Sequence, residues 1–536
     1  MNKRFLLFIS FSLSFSIHFA QNIELVKSFA NNSVPKDIIE FNSQLFFSAD
    51  DGVNGRELWV SDGTTSGTTL FKNILSGGSS SPEQLKVLGN KFYFIALETI
   101  SPARKALYVS DGTVAGTIKL TSLSTNSNNI TATTYYEIVN NKVYFKNDIN
   151  GLGSELWMTD GTVAGTVMLK DIYTSTPGSS PDNFCAFNGK LFFNANDGIH
   201  GKELWATDGT SDGTIMIKDG ITSGSTNGPR YITVFSGKIY YDYDGELWAS
   251  DGSPSGTNLF LQINPNFKSY PKEFMVMDTK MYFSAQRNGL GNELFVTNGS
   301  PAGTLPVLTN FNGYNANSLH NFFGRIFYSG KSDTQGQELW MSNGFDPGTA
   351  IVKDINLEAN GVSDGLAANT EMVESNNYFY FSAVDHGQVN ELYRSNGSSS
   401  ETTKLTYSLG TNADGEPTDL IHFNTTLFFA AKYTTQGGLY KLGNGTSKVN
   451  ELTNSAYINV FPNPTNQGLN FTHLIENSNY NLKITDLSGK LIIDENFVSK
   501  NSTYYFSNEL DEGIYFITLS NDKNLIKFNS KIIYKK

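Results

Sequence analysis

At 536 residues the chain has room for three or four ordinary domains, yet only 17% of it is charged, aromatics reach 13% and glycine supplies 49 residues. That balance excludes a coiled coil and a chain disordered throughout, and a formal charge of −12 with a pI near 5.1 argues against nucleic acid and anionic membrane surfaces as partners. A single cysteine, Cys185, excludes an intrachain disulfide framework and a cysteine-based zinc cluster, so stability has to come from burial.

The first element in chain order is a leader over residues 1–20. Lys3 and Arg4 precede an apolar run from Phe5 to Phe19, broken only by serines and His18, and Ala20 stands before Gln21 at a plausible cleavage point. The run is short for a membrane span, no cysteine follows to take a lipid, and no later apolar stretch has spanning length. The expectation is an exported chain with no membrane span once the signal is removed.

A repeat then governs the chain. A leucine followed by an aromatic recurs at Leu58-Trp59, Leu107-Tyr108, Leu156-Trp157, Leu204-Trp205, Leu247-Trp248, Leu294-Phe295, Leu339-Trp340, Leu392-Tyr393 and Leu439-Tyr440. The spacing is about 48 residues, in the range of propeller blades, and every tryptophan falls at this position. Each unit reads as four short strands: Phe184 to Phe187, an Asn188-Gly189 turn, Leu191 to Ala195, a loop, Glu203 to Thr207, an Asp208-Gly209 turn, and Ile215 to Lys218. Along the third strand Leu204 and Ala206 face one way and Trp205 and Thr207 the other, so both faces carry apolar groups, as a sheet packed between two neighbours requires.

These features predict an all-β protein: a β-propeller of about nine four-stranded repeats over residues 22–454, followed by a small C-terminal β-sandwich. Glu24 to Lys27 read as a fourth strand that precedes the first unit and is expected to pair with the last, closing the ring. Nine blades exceeds the usual four to eight, so two smaller rings or a degenerate ninth copy stay open.

Two sets of repeated acids follow. Asp62, Asp111, Asp160, Asp208 and Asp251 share one position that becomes Asn298, Asn343, Asn396 and Asn444 in later copies. An Asp/Asn exchange keeps the acceptor and loses the charge, which suits a structural turn bonding its own backbone better than a calcium site. Glu57, Glu155, Glu203, Glu246, Glu293, Glu338 and Glu391 open the third strand, on the face that carries the second-to-third and fourth-to-first loops. With loop acids such as Asp51 and Asp197 they are the candidate binding residues, either as an acidic rim or as internal acceptors for loop amides. No metal site is read from the sequence, and no cofactor is expected, calcium being the one left open.

Enzymatic motifs are absent: no Gly-x-Ser-x-Gly elbow, no His-Glu-x-x-His pair, no phosphate-cradling loop. The expectation is therefore a non-enzymatic binding scaffold for a glycan, a protein or a cation. The alternative is a secreted carbohydrate-active enzyme whose paired acids leave no local motif. Tyr173, Tyr231, Tyr241 and Tyr314 are candidate aromatics for a glycan. The ligand is unknown.

Beyond a linker from Ser455 to Pro464 the chain carries short alternating strands at Asn481 to Leu487, Leu491 to Ile493, Tyr504 to Phe506 and Gly513 to Leu519, which predict the sandwich. This tail holds equal numbers of acidic and basic residues, so the acidity belongs to the repeats and favours cations or basic partners there.

Two resemblances emerge. Glu57-Leu58-Trp59-Val60-Ser61-Asp62-Gly63-Thr64 and its copies from Glu155 and Glu203 resemble the ELWxxDGT repeat family of secreted bacterial proteins, a likeness that implies no activity. The Asp-Gly-Thr turn is also similar in kind and place to the Asp-box of sialidase propellers, without its spacing. Pro464-x-x-x-Gly468 after Phe461-Pro462-Asn463, the Asp486 to Lys490 turn, Leu510-x-x-Gly513-x-Tyr515 and the ending at Lys535-Lys536 make residues 458–536 resemble the type A C-terminal sorting domain of the type IX secretion system. That resemblance implies a Gram-negative source, the secretion machinery as partner, and passage across the outer membrane. It further implies removal of the tail by a surface protease, followed by attachment to surface lipopolysaccharide or release.

Overall fold

The computed structural model describes residues 23–123, 136–149, 153–220, 228–287, 291–308, 314–332, 334–356, 364–367, 370–385, 390–405, 415–433 and 436–443 of the repeats. In the tail it describes 459–461, 469–472, 474, 479–486, 490–500, 503–507, 510–511, 513–521 and 527–534. The leader, Asn444, Pro464, Gly468 and Lys535 lie outside these residues. The chain divides into two compact units, Met1–Thr446 and Ser447–Lys536.

Among the described residues, the first unit consists of nine antiparallel four-stranded sheets. The fourth sheet is representative: Asp182–Phe187, Lys190–Asn196, Lys202–Thr207 and Ile215–Lys218, each strand paired with the next. Strand composition explains the packing. Leu204 and Ala206 pack with Ile239 and Tyr241 of the fifth sheet, while Trp205 packs with Tyr144 and Leu156 of the third. Apolar clusters of this kind fill the space between consecutive sheets, so the core is a series of inter-sheet layers.

The first strand of each sheet touches that of the next, and the ninth, Thr418–Phe423, returns to the first, Lys36–Phe41. The sheets therefore form one nine-bladed propeller. Ile23–Ser28 closes it as the fourth strand of the ninth sheet, with Ile23 opposite Leu442 and Ser28 opposite Gly438. The strand that has no unit of its own thus completes the last one, and Ile23 and Val26 are buried there.

A second set of contacts joins the blades. Seven first strands hold a non-glycine residue in the left-handed region: Asp37, Gln84, Asn183, Tyr231, Glu273, Ser318 and Asp419, with φ between 50° and 58°. The ladder shifts register at each of these positions. Such residues cost roughly 1 kcal/mol or more apiece, and in four of the seven the side chain bonds the neighbouring blade. Asp419 Oδ1 accepts the Asp37 N–H at 2.6 Å, Asp37 Oδ1 the Gln84 N–H at 2.8 Å, Asn183 Oδ1 the Tyr231 N–H at 3.0 Å and Glu273 Oε2 the Ser318 N–H at 3.1 Å. Fourth strands add a further tie: Lys72 Nζ donates to the carbonyls of Val114 and Thr117, and Lys170 Nζ to those of Ser211 and Thr214.

The second unit has a three-stranded sheet, Asn459–Phe461, Leu469–Thr472 and Thr503–Phe506. Its four-stranded sheet runs in the order Leu491–Val498, Asn479–Asp486, Gly513–Asn521, Lys527–Tyr534. Leu469, Phe471 and Phe506 of the first sheet share one core with Leu482, Ile484, Ile517 and Leu519 of the second, so the unit is a small sandwich. Leu510 and Tyr515 of the sorting signature belong to this core, and the Tyr515 hydroxyl donates to the Asp511 carbonyl at 2.8 Å. Gly513 opens the third of the four strands. No helix among the described residues is long and apolar enough to cross a membrane.

Candidate functional site

The two loop faces of the propeller use the repeated acids differently. On the turn face, Asp62 Oδ1 accepts the Thr64 N–H at 2.8 Å and the Thr64 hydroxyl at 2.7 Å. The Ser61 and Thr68 hydroxyls meet at 2.7 Å, and Thr68 Oγ1 donates to the Thr64 carbonyl. Gly67 closes the loop because an added Cβ would lie 2.0 Å from Asp62 Oδ1. Asp111, Asp160, Asp208 and Asp251 make the same pair of bonds to Thr113, Thr162, Thr210 and Ser253. Asn298 and Asn396 reproduce it with Ser300 and Ser398. The bonds from Thr162, side chain first and then backbone, hold the Asp160 carboxyl below its ordinary range.

On the opposite face the glutamates point inward. Glu57, Glu155, Glu203, Glu293 and Glu338 are at most 2% exposed and Glu246 is 7% exposed, so they form no open rim. Glu57 accepts the N–H groups of Ile74 and Ser80 and the Ser80 hydroxyl. Glu155 does the same with Ile172, Tyr173 and Ser179. Glu203 takes the Gly220 N–H and the Tyr243 hydroxyl, Glu293 is clamped by Arg287, and Glu246 lies 3.9 Å from Lys268 Nζ. Glu338 accepts the N–H groups of Ile355 and Asn356. Burial raises all six, and it takes Glu338 to about 7, with the Asp354 charge adding to the effect. Glu57, Glu155, Glu203 and Glu338 thus fasten the loop that leads to the next blade, whereas Glu293 is held by the second-to-third loop of its own blade.

Asp51 and Asp197 hold their own second-to-third loops. Asp51 Oδ1 accepts the N–H groups of Val53 and Asn54, and Asp197 Oδ1 those of Ile199 and His200. Asp197 Oδ2 also pairs with His200 Nδ1 at 2.6 Å, and that hydrogen bond raises the imidazole above its ordinary value. Of the tyrosines, Tyr241 is 1% exposed and belongs to the core between the fourth and fifth blades, which corrects its reading as a loop aromatic. Tyr231 is 44% exposed on a first strand, Tyr173 is half-buried, and the side chain of Tyr314 lies outside the described residues.

The same face opens a cleft of about 550 Å³ across the sixth, seventh and eighth blades. Its walls are Lys272, Asn292, Asn315, Asn317, Gln337, Asp364, Leu366, Ala367, Val384 and Asn390. Asn317 Oδ1 accepts from Lys272 Nζ at 2.7 Å, and Gln337 Nε2 donates to the Asn315 carbonyl at 2.7 Å. Asp364 Oδ1 accepts the Gln337 N–H at 2.8 Å. Asn292 Oδ1 is buried without a partner among the described residues. Sequence reasoning about acids missed this cleft. The signal lay one residue earlier: Asn292, Gln337 and Asn390 precede the repeated glutamate in three consecutive units, where earlier units have Arg56, Ser154 and Lys202.

No curated protein matches the chain. Solved structures similar to it include PorZ, a bacterial surface component of the type IX secretion system of Porphyromonas gingivalis, at 12% identity and a TM-score of 0.35 over 94% of this chain and 75% of that one. The β-propeller domain of the Trilobed protease from Pyrococcus furiosus is similar at 9% identity and a TM-score of 0.34, over 71% of this chain and all of that one. Prolyl oligopeptidase B from Galerina marginata is similar at 9% and 0.39, over 75% and 56%. The propeller assignment rests on the closed ring of sheets described above. For the tail, residues 459–535 match the family model described as a secretion system C-terminal sorting domain. Residues 459–535 thus form a C-terminal sorting domain of the type IX secretion kind, which indicates export and secretion or attachment at the cell surface.

Proposed function

We propose that the propeller is an extracellular binding scaffold of the ELWxxDGT repeat kind, delivered by the sorting domain, and that it works through the face carrying the second-to-third loops rather than by catalysis. One observation carries this reading. The repeated acids of that face are spent on loop amides, an arginine, a lysine and a tyrosine, while amides make up half the lining of a cleft on it. A glycosidase would need two carboxyls free to meet a substrate. The glutamates of the repeat serve instead to fix loop positions.

The test incubates the purified full-length mature protein with insoluble polysaccharides and with envelopes of the producing cells, and measures both retention and newly released sugar ends. Retention without release is expected. Saccharide release that grows with time would overturn the scaffold reading in favour of a carbohydrate-active enzyme.

A further inference from the structure

We infer that the cleft across the sixth to eighth blades is a binding site for a neutral, hydroxyl-rich ligand, a short oligosaccharide segment; this rests on the scaffold reading and names the ligand class for it. Four observations converge. The first is chemical: half of the lining residues are carboxamides, and while Asn317 and Gln337 bond within the wall, Asn292 and Asn390 present amides, groups that both donate and accept as sugar hydroxyls do.

Charge is the second. The one cation and the one carboxylate among the lining residues are both engaged within the protein, Lys272 with Asn317, and Asp364 with the Gln337 N–H and, at 3.9 Å, with Lys331 Nζ. A divalent cation would need several oxygen ligands including carboxylates, and an acidic saccharide would need a cation free to meet it. The apolar lining is confined to Leu366, Ala367 and Val384 and includes no aromatic side chain, the residue type that dominates protein–protein hot spots.

Unmet hydrogen-bonding capacity is the third. Asn292 Oδ1, on a residue that lines the cleft, has no hydrogen-bond partner among the described residues. Polar atoms left unpaired in a folded protein are costly, and a ligand supplying hydroxyls relieves that cost.

Rigidity is the fourth. The wall at Asp364 to Leu366 is tied down by the N–H groups of Gly365 and Leu366, both donating to the Gln337 carbonyl at 2.8 Å, and by Asn356 Nδ2 donating to the Asp364 carbonyl. A fixed wall spares a ligand the entropy of ordering it.

The experiment titrates the full-length mature protein by calorimetry with maltotriose, cellotriose and triacetylchitotriose, and with trigalacturonate, trialanine and calcium chloride as comparators. Binding of at least one neutral trisaccharide is expected. Asn292→Ala and Asn390→Ala should each weaken it by about tenfold, the worth of a lost hydrogen bond to an oriented hydroxyl, with melting temperature unchanged. Absence of binding by any of the three up to millimolar concentration overturns the inference. Trisaccharide binding that both variants retain places the site elsewhere and also overturns it, while leaving the scaffold reading intact. Cleft-dependent binding of trigalacturonate, trialanine or calcium in place of the neutral sugars overturns the ligand class alone. Failure of the scaffold reading itself would appear separately, as saccharide release.

Discussion

The two faces of the propeller carry repeated acids, five aspartates on one and seven glutamates on the other, and put them to different uses. On the turn face an aspartate bonds the residue two positions further on, so all its partners lie within one short loop and the geometry recurs unit after unit. On the other face a glutamate bonds amides about twenty residues ahead, or an arginine, a lysine or a tyrosine, so its partners change with every connecting loop. A motif that closes on itself stays uniform. One that reaches into a variable loop lets each blade differ, and the cleft is found on that side.

The comparison breaks most easily at Glu155. Replacing it by alanine leaves the N–H groups of Ile172, Tyr173 and Ser179 without their acceptor in a buried site. A destabilisation on the order of 3–4 kcal/mol is expected, read as a fall in the denaturant midpoint. A loss below about 1 kcal/mol would mean that the loops hold themselves.

Glu338 sharpens the comparison through pH. Its folded-state pKa is raised from 4.5 to about 7, so the stability it contributes is complete below about pH 4.5 and is lost as pH rises through about 7. The full excursion is roughly 3 kcal/mol. Glu338→Gln stays neutral, so the melting temperature of the native protein relative to this variant should fall by a few degrees between about pH 5 and about pH 8. A difference independent of pH would refute the burial argument. The turn aspartates run the other way: their carboxyls are depressed, so their contribution is present above pH 3.8 and disappears in acid.

The smallest effects belong to the turn face. Asp160→Asn should be almost neutral, because Asn298 makes the same two bonds in the sixth unit. Asp160→Ala should cost about 1 kcal/mol, the net worth of a turn hydrogen bond. Paired denaturant melts of the two variants check both values, and a costly Asn substitution would point to a role for the charge that the turn geometry does not supply.

Much of this protein is legible in its sequence because the repeats write local rules many times over. The Leu-aromatic alternation at Leu204, Trp205 and Ala206 states that both faces are buried, the Asp-Gly turns fix the hairpins, and Glu24 to Lys27 reveal a strand in search of a sheet. The tail's Leu510, Gly513 and Tyr515 were readable for the same reason, as short-range pattern. Tertiary structure decided what depends on partners distant in the chain. It closed nine blades into one ring, set Asp419 against Asp37 across 382 residues, and put Lys72 on the turn of the following blade. It also turned the glutamates inward and gathered Lys272, Asn317, Gln337 and Asn390 into one cleft. A sequence states which groups each residue carries, whereas burial and pairing are set by which segments meet, and those meetings follow from how the blades stack.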